Sequence, residues 1–234
     1  AELRRLKPRK VVIFGGTDRK RVVEGTSVAL GGSAIIKNKT GADRFSTSAQ
    51  ISQNTYSPGV DTVYVASGRV FTDALSGAPV AGKTRGPVLL VDTNSLPSSI
   101  ATELGRLHPR RIVIFGGTST ITTSVESALH AYAATVERWS GPDRFTTSTA
   151  ITSQSYAPGV GTVYIASGRV YTDALSGAPV AGMTGGPVLL VDTTKLPDAV
   201  ATELARLTPS RIVVLGGENT ISYGVQAAVA PYVR

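Results

Sequence analysis

The chain has 234 residues, 41% hydrophobic and 17% charged, a composition that suits a folded protein with length for one large core or two small ones. Its 24 lysines and arginines against 16 acids leave a formal charge of +8, which favours an anionic partner such as nucleic acid, anionic lipid or an acidic polymer. There is no cysteine, which excludes disulfides and thiolate metal sites and is compatible with an extracellular setting, and no run of about 18 apolar residues exists to span a membrane.

Residues 1–10, AELRRLKPRK, contain no apolar stretch of the signal-peptide kind, so none is expected within them. KVVIFGG at 10–16 then reads as a buried strand ending in a glycine pair. Irregular structure is expected over 17–36, where Gly25, Gly31 and Gly32 interrupt the apolar pattern.

From there an internal repeat organises the chain. GADRFSTSAQIS at 41–52 returns as GPDRFTTSTAIT at 141–152, ASGRVFTDALSGAPVAG at 66–82 as ASGRVYTDALSGAPVAG at 166–182, and GPVLLVDT at 86–93 again at 186–193. RKVVIFGG, RRIVIFGG and SRIVVLGG, ending at 16, 117 and 217, form a third class that occurs three times. The division expected is therefore 1–36 as the tail of an upstream repeat, 37–134 as one unit and 135–234 as another.

Within the second unit, TVERW at 135–139 predicts a short strand, and DRFTTSTAITSQSY predicts a helix with Phe145, Ile151 and Tyr156 on one side. TVYIAS at 162–167 is β-branched and apolar enough for a buried strand. TDALSGAPVAG follows as a short helix with Thr172 or Asp173 as N-cap, and PVLLVD at 187–192 is another buried strand. LPDAVATELARL places Leu196, Val200, Leu204 and Leu207 on one face with Pro197 in the first turn. RIVVLGG is a fourth strand, and Ile221, Val225, Val229 and Tyr232 line up on a last helix. Alternating strands and helices predict an α/β fold of tandem small units, each a parallel sheet of about four strands flanked by helices, Rossmann- or Toprim-like.

Ligands of parallel sheets bind beyond the strands' C-terminal ends, and the uncommon residues gather there. In the second unit these are Gly141, Arg144, Ser167, Gly168, Arg169, Thr172, Asp173, Asp192, Gly216 and Gly217; in the first, Gly41, Arg44, Ser67, Arg69, Thr72, Asp73, Asp92, Gly116 and Gly117. An arginine at such an edge can grip a carboxylate or phosphate through two parallel hydrogen bonds. Plainer roles are open too: the glycine pairs suit tight turns, Asp73 could cap its helix, and Arg44 and Arg69 could pair with acids across a repeat interface. No phosphate-binding fingerprint is present. His108 and His130 lack counterparts in the second unit, and Ser67 and Ser167 lack a nucleophile-elbow setting, so no catalytic residue is assigned. The enzyme alternative is a hydrolase using Asp73 and Asp92 as a magnesium-type carboxylate pair. Scattered basic residues and 6% aromatics argue against nucleic-acid binding, and neither a cofactor nor a resident metal is expected.

The ordered motifs SGPDRFTTS, VYIASGRVYTDALSGAPVAG, GPVLLVD and RIVVLGG resemble the bacterial type-2 cell-wall-binding repeat over nearly the whole chain from about residue 37. Arg138, Gly141, Asp143 and Arg144 fit the family's opening motif, Asp173, Ala174 and Leu175 its middle, Pro187 to Leu190 its PILL strand and Ile212 to Gly217 its end. The first unit matches at the same places except that Asn38 stands where the leading arginine should. The resemblance implies a non-catalytic extracellular module that holds a Gram-positive surface or secreted protein on an anionic wall polysaccharide or teichoic-type polymer. It implies repeats packed in threes about a pseudo-threefold axis, within one chain or as a homo-oligomer. It also points to the PILL-type strands, Pro87, Val88, Leu89 and Leu90 with Pro187, Val188, Leu189 and Leu190, as polymer-binding. Arg44, Arg69, Arg144, Arg169, Asp73 and Asp173 join them as candidates from their strand-end positions. A purely structural or adhesive surface domain is the remaining alternative.

Overall fold

In the computed structural model, the described parts are residue 5, the backbone of residues 10–14 and 35–39, and residues 41–234. In chain order they are β1 (Lys10–Phe14), β2 (Ile35–Lys39), α1 (Arg44–Gln53), β3 (Thr62–Ser67), α2 (Phe71–Thr84), β4 (Val88–Val91), α3 (Ser98–Leu107), β5 (Arg111–Phe115) and α4 (Thr123–Leu129). The second half repeats the series as β6 (Thr135–Trp139), α5 (Arg144–Ser155), β7 (Thr162–Ser167), α6 (Thr172–Thr184), β8 (Val188–Val191), α7 (Asp198–Leu207), β9 (Arg211–Leu215) and α8 (Tyr223–Val229), with a 3-10 turn at Ala230–Tyr232. The irregular structure expected over 17–36 lies outside the described residues up to 34; residues 35 and 36 open β2.

All strand pairs are parallel, in sheets ordered β1-β2, β4-β3-β5-β6 and β8-β7-β9. The glycine-pair strands β5 and β9 close the sheets of their own units. The fourth strand is exchanged. β6, the first strand of the second unit, completes the sheet of the first, and β2 joins β1 in the same manner. The cause is local: β5-α4-β6 is a βαβ run with a short link into β6, so β6 lies beside β5 before the chain leaves for the second sheet. The sheet therefore runs across residues 134 and 135. The β5–β6 pairing is reinforced by Gly116 N donating to Trp139 O at 3.1 Å and by Arg138, which donates to Gly116 O and to Glu126 Oε2.

The duplicated segment that includes TDALSGAPVAG builds the contact between units. Helices α2 and α6 carry it, and they pack against each other with Gly82 facing Gly182 and the rings of Phe71 and Tyr171 5.3 Å apart. Small residues let the two backbones approach closely. One apolar cluster runs from Tyr64, Phe115 and Trp139 of the first sheet through Ile151 and Leu189 to Val225 of the last helix, so the two units share a core.

Two expectations about helix starts are corrected. The N-caps of α2 and α6 are Val70 and Tyr171, without a side-chain cap, and Asp73 and Asp173 lie inside the first turn. The helices run 14 and 13 residues, longer than the short helix expected, because Pro79 and Pro179 are accommodated within them. Pro197 is the N-cap of α7, and its carbonyl accepts from Val200 and Ala201.

The pseudo-symmetry leaves one side bare. Leu75 and Val80 of α2 are 7% and 2% exposed, but Leu175 and Val180 of α6 are 57% and 48% exposed, and Met183 is exposed too. Strand β5 is buried from Ile112 to Phe115, whereas β9, with no strand beside it in the place of β6 among the described residues, is half-exposed from Ile212 to Leu215.

Candidate functional site

The C-terminal strand ends come together as the parallel fold requires, and the duplicated residues do the same things in both units. Arg69 Nε and Nη2 donate to Asp92 Oδ1 and Oδ2 at 3.1 and 2.7 Å, and Arg169 grips Asp192 at 3.3 and 2.7 Å. Each arginine holds its carboxyl partner below the usual carboxylate range. The pairs form within a unit, not across an interface as the sequence reading allowed. With both Asp92 oxygens held by Arg69, that carboxylate is committed elsewhere than to a metal pair with Asp73. Among the described residues no group of three metal-ligating side chains gathers.

Ser67 and Ser167 are buried, and their Oγ atoms accept from the backbone N–H groups two and three residues on, which shapes the turn after β3 and β7. Arg44 and Arg144 occupy the first positions of α1 and α5, behind the N-caps Asp43 and Asp143. Their Nη1 atoms donate to Gly68 O and Gly168 O at 2.6 Å, which fixes the helix start against the neighbouring strand end. His108 is exposed, in the left-handed cap position after α3.

The PILL-type strands sit at sheet edges. Pro87, Leu89, Pro187, Val188, Leu189 and Leu190 are buried, while Val88 and Leu90 are half-buried. Ser48 and Ser148 Oγ accept from Leu90 N and Leu190 N, so α1 and α5 cover part of each edge. Leu189→Ala is therefore expected to destabilise the fold by about 2–5 kcal/mol, read as a lower denaturant midpoint. A variant that melts like the parent yet leaves the wall would instead make this strand a direct contact surface.

Asp73 differs from its counterpart. It is 4% exposed, its Oδ1 accepts from Thr72 Oγ1 at 3.3 Å, and burial pushes its carboxyl up, opposed by Thr72, Arg144 and Thr120. It borders a cavity of about 300 Å³ together with Thr72, Ser119, Thr120, Asp143 and Arg144. Asp173 is only half-buried, with Thr220 Oγ1 3.4 Å from its Oδ2. A second, apolar cavity of about 550 Å³ lies between α2 and α6, lined by Leu75, Ala78, Leu175, Ala178 and Met183 among others.

Sequence reasoning missed the pairing of buried Glu103 and Glu203 with half-buried Arg106 and Arg206, and the arginine latch at Arg138. The first two were visible as ATELGRL and ATELARL, an identical acid and arginine returning at the same spacing.

The model of the family described as cell wall binding domain 2 matches residues 38–126 and 138–226, well over half of the chain. The amidase enhancer of Bacillus subtilis (strain 168) is 32% identical over 195 residues, covering 82% of this chain and 26% of that protein. The N-acetylmuramoyl-L-alanine amidase LytC of the same organism is 27% identical over 187 residues, covering 80% of this chain and 37% of that protein. Among solved structures, Cwp8 and Cwp6 from Clostridium difficile superpose with TM-scores of 0.75 and 0.76 at 28% and 26% identity, each over 83% of this chain and 33% and 31% of theirs. The chain thus spans about a quarter to two-fifths of the length of these relatives. No helix among the described residues is long and apolar enough to cross a membrane.

Proposed function

The chain belongs to the cell wall binding domain 2 family and is a cell-wall-binding module of the bacterial surface, and from that premise we propose that it is a non-catalytic anchor for an anionic wall polymer of a Gram-positive bacterium. The observation that carries the proposal is the duplication on one frame. The same strand-end arginines recur in two units locked together by a shared core, the exchanged strand β6 and the α2–α6 contact. A catalyst gains little from a tandem copy of itself, but a polymer binder gains a second grip and with it avidity. The charge of +8 favours a polyanion, and the similar proteins come from Bacillus subtilis and Clostridium difficile.

Arg44, Arg69, Arg144 and Arg169 are the charged contacts in this reading. The PILL-type strands act by holding the strand ends in place, since most of their side chains are buried. Exposed charge contacts are screened by salt, with a Debye length falling from about 10 Å at 0.1 M to about 3 Å at 1 M. Retention on purified wall sacculi is therefore expected to fall steeply over that range. Arg44→Gln with Arg144→Gln should weaken retention at low salt, measured well below the melting temperature, which itself falls with the lost bonds to Gly68 O and Gly168 O. Retention that ignores both salt and these substitutions would overturn the ionic reading.

The bare side completes the proposal. The exposed apolar face of α6 and the open edge of β9 correspond to the surfaces that the second unit covers on the first, and the apolar cavity between α2 and α6 opens beside them. A third repeat of the same kind fits all three, giving a threefold arrangement within a longer chain or between chains. Joining such a repeat to this chain should protect the backbone amides of β9 from hydrogen exchange. Unchanged exchange at Ile212–Leu215 would count against it.

A further inference from the structure

We infer that the binding unit is the junction between two repeats: the cavity bordered by Asp73 takes one anionic sugar residue of the polymer, its hydroxyls donating to Asp73 and its charged group facing Arg144. This deepens the reading of the module as a wall-polymer binder and rests on it.

Neither repeat builds this cavity alone. The first supplies Thr72 and Asp73 at the start of α2 and Ser119 and Thr120 in the loop after β5. The second supplies Gly141 to Arg144, the turn after β6. Strand exchange brings the two halves together, because β6 lies beside β5 and its C-terminal end opens next to that of β5. At about 300 Å³ the cavity is at the small end of the range for small-molecule sites. It stands at the C-terminal ends of parallel strands, where such sites form.

Its chemistry is that of a sugar site. A buried carboxylate accepts hydroxyl protons, several threonine and serine hydroxyls accept or donate, and a guanidinium meets an anion. The strand end is shaped around the carboxylate. Gly116 has φ +110°, and a Cβ there would collide with Asp73 Oδ2 and Thr120 Oγ1. Both side chains therefore occupy space that only glycine leaves.

Asp73 also holds its place at the expense of stability. Its folded-state pKa is raised by burial, so folding favours the protonated form. Stability from this group is greatest below the unfolded value near 3.8 and declines as pH rises toward the folded value. A buried carboxyl at a cavity that penalises the fold at neutral pH fits a binding role better than a structural one.

The second repeat is the internal control. Among the described residues no strand beside β9 corresponds to β6 with its turn Gly141–Arg144, and Asp173 is half-buried where Asp73 is buried. Binding by this chain should therefore follow Asp73 and not Asp173.

The test uses the full chain labelled with nitrogen-15, titrated with methyl glucuronoside, methyl glucoside 6-phosphate and neutral methyl glucoside. The expected result is amide shifts at residues 72–73, 119–120 and 143–144, stronger for the anionic probes; the carboxylate and phosphate arms decide which anion fits. Asp73→Asn should weaken binding roughly tenfold or more, the loss of a hydrogen bond to a charged group, while the melting temperature at pH 7 stays level or rises. Asp173→Asn should leave binding unchanged. Thr120→Val gives a second, smaller loss should Asp73→Asn fold poorly. Absence of shifts at the junction under saturating probe, or equal effects of the two aspartate substitutions, overturns the inference. Retention on sacculi separates the two readings. A chain held on walls regardless of Asp73→Asn sinks the junction site alone, and a chain that binds the sugars at the junction but not sacculi sinks the wall reading alone.

Discussion

Phe115→Ala is expected to destabilise the chain by about 3–5 kcal/mol, and to loosen the joint between the repeats as well as the first sheet. Phe115 is fully buried at the end of β5, its ring stacked on Tyr64 at 5.0 Å and tilted against Trp139 at 5.9 Å. Trp139 belongs to the exchanged strand β6, and the cluster continues into the second unit. On its other side the ring lies against Gly77 of α2, where a Cβ would collide with it. Truncation thus empties the point at which a strand, an exchanged strand and the inter-repeat helix meet. Urea unfolding followed by tryptophan fluorescence reads the effect directly, because Trp139 is the single tryptophan. A loss under about 1.5 kcal/mol, the range of mild core swaps, would mean that the joint does not rest on this ring. Gly77→Ala should act in the same direction by overpacking.

Arg106→Ala should be as damaging, also about 3–5 kcal/mol, because it strands a buried acid. Glu103 has no exposed surface, and both its oxygens are engaged: Oε1 by Ser52 Oγ at 2.5 Å and Arg106 Nη2 at 2.8 Å, Oε2 by Arg106 Nε at 2.8 Å. Arg106 Nη2 also donates to Tyr56 O at 2.9 Å, which ties α3 to the turn after α1. Replacing the pair together, Glu103→Leu with Arg106→Met, should recover much of the loss, since an apolar pair of similar volume leaves no orphaned charge. If the double variant is no better than Arg106→Ala, the network is needed for more than charge compensation. Glu203 and Arg206 repeat the arrangement in α7 without a counterpart of the serine bond.

The contrast between these residues and the candidate site shows what the sequence could disclose. Strands such as TVYIAS and PVLLV were legible because parallel strands buried on both faces read as near-continuous apolar runs. Helix α7 was legible from its apolar stripe. The destination of β6 was not legible, because TVERW carries no mark of which sheet it enters; a short link after α4 and the edge of β5 decide that. The helix starts at Phe71 and Thr172 were misplaced because Asp73 resembles an N-cap, whereas its carboxyl is drawn toward Thr72 and Thr120 at the repeat junction. The strand-end arginines, read as ligand grips or as partners of acids across a repeat interface, pair inside their own unit: Arg69 with Asp92, and Arg44 with the carbonyl of Gly68. The repeat carried a usable mark of the first, since Arg169 and Asp192 return at the same separation. The junction cavity was out of reach, because its halves come from different repeats and meet only through strand exchange.

The central claim is that this chain holds an anionic polymer of the wall. The most direct measurement is co-sedimentation of the purified chain with Gram-positive sacculi before and after chemical removal of their anionic polymers, at fixed low salt. The account predicts that the chain pellets with intact sacculi, stays in solution with stripped ones, and is displaced from intact sacculi by the extracted polymer. Equal binding to intact and stripped sacculi would contradict it and place recognition on the peptidoglycan itself.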